Sequence, residues 1–187
     1  MLDSILNYYD DSGAIAIGVL VLLSIYLIIT FWIFIYKLLQ LNSFINTEKN
    51  ELTSLVSREA LVNPLSRIGS CIGETHVSKE LLNVCETSLI REASSGISWL
   101  SIISSTAPFI GLFGTVIGIL ESFAKFATVS KVSFATIAPV ISEALVATAA
   151  GIFVAIFAYT FHQIITRKVY ELNTYIKSQI DILLAGK

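Results

Sequence analysis

Charge is what this sequence has least of. Asp, Glu, Lys and Arg make up 14% of its 187 residues, against roughly a quarter in an ordinary soluble domain. The net charge of -2, with no block of like charges, is too small to suggest nucleic acid or any strongly charged macromolecule as a partner, and none is expected. Cysteine is equally sparse. Cys71 and Cys85 have neither metal-ligand spacing nor a nearby pair of histidines, so no metal or cofactor is expected, and in a cytosolic setting both are expected as reduced thiols. No nucleophile, base and orienting group fall together, and Gly111, Gly114 and Gly118 lie inside an apolar run rather than in a phosphate loop, so the chain is not expected to be an enzyme. Residues 1–13 carry Asp3, Asp10 and Asp11 but no Lys or Arg, and therefore lack the basic start of a secretory signal.

What fills the space is hydrocarbon. Hydrophobic residues reach 55% and the mean hydropathy is +0.77, which puts the chain in the membrane class. Three apolar runs, 14–36, 97–123 and 134–161, are each long enough to cross a hydrocarbon core of about 30 Å at about 1.5 Å per residue. The first contains no ionisable group, gathers Tyr26, Trp32 and Tyr36 toward one end and closes on Lys37, the pattern of a lipid-facing anchor. Between the first and second runs, residues 37–96 interleave charges with Leu, Ile and Val at helical intervals. Two amphipathic segments fit there, about 38–60 and about 78–95, separated by Asn63, Pro64, Gly69 and Gly73. The second runs toward Trp99 with Gly96 as its one weak point. The fold class expected is an all-α integral membrane protein with three transmembrane helices, the second and third extended by cytoplasmic amphipathic helices.

Orientation follows from the cations. The N-terminus has none and the connection 124–133 has Lys125 and Lys131, whereas the other side collects Lys37, Lys49, Arg58, Arg67, Lys79 and Arg91 in the long loop and Arg167, Lys168, Lys177 and Lys187 in the tail. The positive-inside rule then makes 1–13 and 124–133 periplasmic, and 37–96 and 162–187 cytoplasmic. The short connection makes the second and third spans antiparallel neighbours.

Two faces stand out. In the second span Ser101, Ser104, Pro108, Gly111, Thr115, Gly118 and Ser122 alternate at spacings of three and four, so one stripe is free of bulk while Phe109, Ile110, Phe113 and Val116 lie elsewhere. In the third, taking Glu143 as zero, Ala144, Ala147, Thr148, Gly151, Ala155 and Ala158 fall between roughly 0° and 140° around the helix. Glu143 is an acid inside a membrane segment, where such groups face a protein interior or a watery path. The two faces fit the polar lining of a pore or the seat for another helix. Pro108 and Pro139 each free a backbone carbonyl, and a kink is expected at each.

The segments Thr106-Ala-Pro-Phe-Ile-Gly-Leu-Phe-Gly-Thr-Val-Ile-Gly-Ile and Ile137-Ala-Pro-Val-Ile-Ser-Glu-Ala-Leu-Val-Ala-Thr-Ala-Ala-Gly closely resemble the two motif helices of the ExbB/TolQ/MotA family, and the chain is most like its ExbB branch. The resemblance covers about Leu89 to Phe161. It implies a homopentamer in the bacterial inner membrane around a central pore, holding single-span partners of the ExbD or TolR type. Protons flowing there would drive a TonB-like or TolA-like protein that delivers work to outer-membrane transport. It also implies that Thr115, Glu143 and Thr148 match pore-lining positions, with Ser104, Pro108, Gly111, Gly118, Ala144, Ala147, Gly151 and Ala155 as a pore-facing small stripe. Two alternatives stay open, a TolQ-like role in envelope integrity and a non-conducting membrane scaffold for a partner. Phe157 departs from the family, which often has proline there, and a straighter end to the third helix is expected.

Overall fold

The structure, a computed structural model, describes residues 14–56, 68–69, 78–127 and 134–185. Outside it fall the expectations for 1–13, Cys71, residues 128–133 and most of the breaker region. Four helices of three or more turns appear among the described residues: α1 (Ala14–Val56), α2 (Lys79–Ser94), α3 (Ile97–Phe126) and α4 (Phe134–Ala185). No strand is present among those residues. α1, α3 and α4 each contain a stretch long and apolar enough to span a membrane.

The first span and the amphipathic segment after it form one uninterrupted helix of 43 residues, and the third span likewise runs on without a break through its tail for 52. The second span differs. Its amphipathic extension, α2, is a separate helix, and the break falls at the glycine. Ser78 caps the start of α2, its side chain accepting from the Leu81 amide at 3.2 Å, with Glu80 in the first turn and Arg91 in the last, the charge order that suits a helix dipole. At the other end the Ser95 amide donates to the Glu92 carbonyl, and Gly96 takes φ 80°, a left-handed setting that is cheap only for glycine. α3 and α4 pass through Pro108 and Pro139 without losing their helical course.

Contacts divide the chain into two units. The apolar unit comprises the chain up to Trp32 together with Trp99–Phe161. Its core is Val19, Leu23, Ile103, Ala107, Ala147, Val154 and Ala158. Large side chains point outward instead: Ile28 is 68% exposed, Phe109 71% and Trp32 74%, the inverse of a water-soluble protein and the pattern a hydrocarbon solvent permits. Phe31 of α1 meets Phe157 and Phe161 of α4 at ring separations of 5.6 and 5.1 Å, so Phe157 is a packing residue in an unbroken helix.

The polar unit comprises Ile33–Ser98 and His162–Lys187. Here Ile45, Ile68, Leu82, Ala93, Leu172, Ile176 and Ile180 form the core. Gln179, 1% exposed, crosses from α4 to α1 and donates to the backbone carbonyl of Glu48 at 2.8 Å and to its carboxylate at 3.0 Å. A glutamate buried without partners would cost several kcal/mol, roughly, and the amide is one of the groups that offset that cost for Glu48. Cys85, 1% exposed, is disulfide-bonded, which corrects the expectation of reduced thiols. That expectation rested on compartment, and compartment does not determine which sulfurs the fold brings together.

Candidate functional site

The site is built where α3 crosses α4. Gly111 and Gly151 bring the two backbones together: a Cβ added at Gly111 would stand 2.6 Å from the Ala147 carbonyl oxygen, and one added at Gly151 would stand 2.5 Å from the carbonyl oxygen of Ala107. Only glycine allows that approach at either position, because no backbone atom can swing aside as a flexible side chain can. Gly114 faces a different neighbour, with Val19 of α1 and Ala147 both within reach of an added methyl. At Gly118 the nearest atom, the Ala144 methyl, is 3.5 Å away, so the crossing has begun to open. Rising residue numbers on α3 meet falling numbers on α4, the antiparallel arrangement that the short connection implies.

One turn along from Gly111 the close approach carries hydroxyls. Thr115, 6% exposed, has its Oγ1 at 3.0 Å from the Ala144 carbonyl of the facing helix and 3.3 Å from its own Gly111 carbonyl, and it is also hydrogen-bonded to the hydroxyl of Thr148. A hydroxyl has one proton to give. If Thr115 gives its proton to Ala144, the stronger of its carbonyl contacts, Thr148 must donate to Thr115. The pair thus forms a short chain of oriented hydroxyls, ending on a backbone carbonyl, inside an apolar unit.

Glu143 lies off that chain. It is half-buried and makes no hydrogen bond or ion pair with a described residue. Five residues separate it from Thr148, about 140° around the helix axis. Ala144, Ala147 and Gly151, which touch α3, lie between those two directions. Glu143 and Thr148 therefore occupy opposite flanks of the face that meets α3. Of the other stripe residues, Gly111, Ala144, Ala147 and Gly151 are buried within the chain, whereas Ser104, Pro108, Gly118 and Ala155 are half-buried. Ser104 and Ser105 bond carbonyls one turn earlier, at Ser101 and Ile102, rather than the carbonyl that Pro108 leaves without its amide.

Reading each helix alone missed the pairing of Thr115 with Thr148. A signal for it exists in the spacing of four shared by Ala107, Gly111 and Thr115 on one helix and by Ala147 and Gly151 on the other, the small-xxx-small pattern of closely packed membrane helices.

A family model described as the MotA/TolQ/ExbB proton channel family matches residues 49–178, which take in α2, α3 and most of α4. The chain belongs to that family. Similarity to a relative named ExbB-like 1, from Helicobacter pylori (strain ATCC 700392 / 26695), runs the full length of both proteins at 43% identity. Two further relatives match over part of the chain. The biopolymer transport protein ExbB of Pseudomonas putida is 47% identical over 79 residues, covering 42% of this chain and 24% of that protein. The Tol-Pal system protein TolQ of Pseudomonas aeruginosa is 52% identical over 66 residues, covering 35% of this chain and 29% of its own length. Membership in a channel family and three long apolar helices make this a multi-pass membrane protein of the proton-channel class.

Proposed function

We propose that this chain is the channel-forming stator subunit of an inner-membrane motor of the ExbB type, coupling proton motive force to active transport at the outer membrane. The observation that carries this reading is the full-length similarity to an ExbB-like biopolymer transport relative, combined with oriented hydroxyls and a half-exposed carboxyl in spans whose outer surface is mostly apolar. Five copies form a ring whose interior holds single-span ExbD-like helices, and a TonB-like protein carries the work onward. Residues 1–13 and 124–133 face the periplasm, and 37–96 and 162–187 the cytoplasm, as the distribution of Lys and Arg favours.

In this reading the stripe serves two purposes. Its central members, Gly111, Ala147 and Gly151, join α3 to α4 within a subunit. Its half-buried members, Ser104, Pro108, Gly118, Glu143, Thr148 and Ala155, face the shared interior of the ring together with the hydroxyl chain ending at Thr115. Glu143 supplies the ionisable group, and the hydroxyls supply sites that can both accept and donate a proton.

The TolQ branch is the second reading, favoured by one observation: the Pseudomonas aeruginosa TolQ is 52% identical over 66 residues, against 47% over 79 residues for the Pseudomonas putida ExbB. The two share their chemistry and part at the partner. Purifying the chain with the single-span protein encoded beside it, and weighing the intact complex by native mass spectrometry, decides between them. Five copies of this chain with a partner carrying one intramembrane Asp support the stator reading. The partner's further association with a TonB-like or a TolA-like protein assigns the branch. A chain that purifies alone as a monomer contradicts both.

A further inference from the structure

Lys37 is the one cation among the buried residues of the described chain, 7% exposed. It sits in the polar unit at the point where α2 ends. Its Nζ donates to Oε1 of Gln40 at 3.1 Å. Its stem lies against Gly96, close enough that a Cβ built there would be 3.8 Å from Cε. The ammonium also feels the carboxylate of Glu92, in the last turn of α2. A positive charge at the carbonyl end of a helix is favourably placed. Three separate features therefore meet at one place: a buried charge, a helix terminus, and the left-handed turn that passes the chain from α2 to α3.

We propose that Lys37 is the bolt of this joint: bonded to Gln40 beside the end of α2, its ammonium fixes the Ser95–Gly96 turn in a single setting. What the ammonium supplies is specificity rather than strength. Taking an ammonium out of water is costly, and an apolar side chain of similar length would bury there at no such cost. An apolar replacement, however, has no reason to prefer the end of α2 over any other apolar surface, whereas the ammonium is satisfied only where Gln40, Glu92 and the helix end converge. Gly96 makes the bolt necessary, because glycine by itself holds its backbone in no one conformation.

This separates two quantities that usually move together. Lys37→Met in the full-length chain is expected to leave the thermal midpoint unchanged or raised. Amide hydrogen exchange in peptides covering residues 92–98 should nevertheless accelerate by about tenfold or more, while peptides covering 41–48 and 172–180 keep their protection. Lys37→Arg should restore slow exchange at the joint. Gln40→Leu, which removes the acceptor and leaves the lysine in place, should loosen the same peptide by a smaller factor. Unchanged exchange at 92–98 in both Lys37→Met and Gln40→Leu overturns the proposal. So does acceleration spread evenly over the core peptides, which would make Lys37 an ordinary packing residue. Because exchange reads the joint directly, the outcome does not depend on the transport reading.

Discussion

Among the described residues, the core of the apolar unit includes Ala107, Ala147 and Ala158, with two glycines in backbone contact beside them; that of the polar unit has one alanine, with branched Leu and Ile at every other place. The same chain has solved the packing of helices twice, in opposite ways. In water, burying Ile and Leu drives association, so large side chains belong between helices. In lipid that drive is absent because the solvent is as apolar as the side chains. What remains is close backbone approach and hydrogen bonding, which small residues permit. The large side chains move to the outside, where Trp32 and Phe109 are found. One methyl group should therefore have opposite effects in the two units.

Adding a methyl to the apolar unit is the stronger perturbation. Gly151→Ala puts a carbon 2.5 Å from the Ala107 carbonyl oxygen, and α3 and α4 must move apart to admit it. A loss of about 3 kcal/mol, the upper end of ordinary overpacking, is expected in an SDS-unfolding titration of the purified chain. Removing a methyl from the polar unit comes next. Ile176→Val, at a position 1% exposed, should cost about 1 kcal/mol in the same titration. If Gly151→Ala costs nothing or stabilises, or Ile176→Val costs nothing, the contrast between the units is wrong.

Hydroxyl loss in the apolar unit should cost less again. Thr115→Val keeps the shape and removes the bond to the Ala144 carbonyl at 3.0 Å. About 0.6 kcal/mol is expected, the usual worth of a hydrogen bond between membrane helices, since the unfolded chain in lipid also finds partners. A far larger loss would mean that the threonine pair, rather than the glycines, holds the crossing together.

The smallest effect is confined to alkaline pH. Burial lowers the pKa of Lys37 from 10.5, and the nearby Glu92 carboxylate opposes that shift. A lysine whose folded-state pKa lies below its unfolded value costs stability while it is charged. Between the depressed pKa and 10.5 the unfolded chain binds more protons, so stability rises with pH through that window. A gentle rise present in the native chain and absent from Lys37→Met, read from the unfolding midpoint, is expected. A fall over the same window contradicts the burial of the ammonium.

Much of the fold was legible because membrane spans announce themselves by length. The runs 14–36, 97–123 and 134–161 lie within α1, α3 and α4, and the amphipathic segment placed at about 78–95 is α2 at Lys79–Ser94. Gly96 marked itself as the weak point for the same reason that it breaks the helix, its freedom to take a positive φ. Tertiary pairing was less legible. A helical wheel groups Glu143 with Thr148 as one small polar face, but the contact with α3 runs between them and leaves the two on opposite flanks, a distinction that needs the position of the neighbouring helix. Lys37 was read as the end of a lipid anchor, because in sequence a lysine after a hydrophobic run looks the same whether it reaches for water or turns inward. Phe157 showed no special role until its neighbour Phe31 was in place.

Glu143 is the most direct test of the central claim, that this chain conducts protons to do work. Glu143→Gln keeps the size of the side chain and its place beside Ala144 while removing the ionisable group. Uptake driven by proton motive force should be measured in cells whose only copy of the chain carries this change, with the assembled complex quantified in the same membranes. The account predicts normal amounts of complex and uptake lowered by at least about tenfold, equivalent to about 1.4 kcal/mol on the limiting step. Normal uptake with normal assembly would contradict it and leave a passive scaffold as the better description.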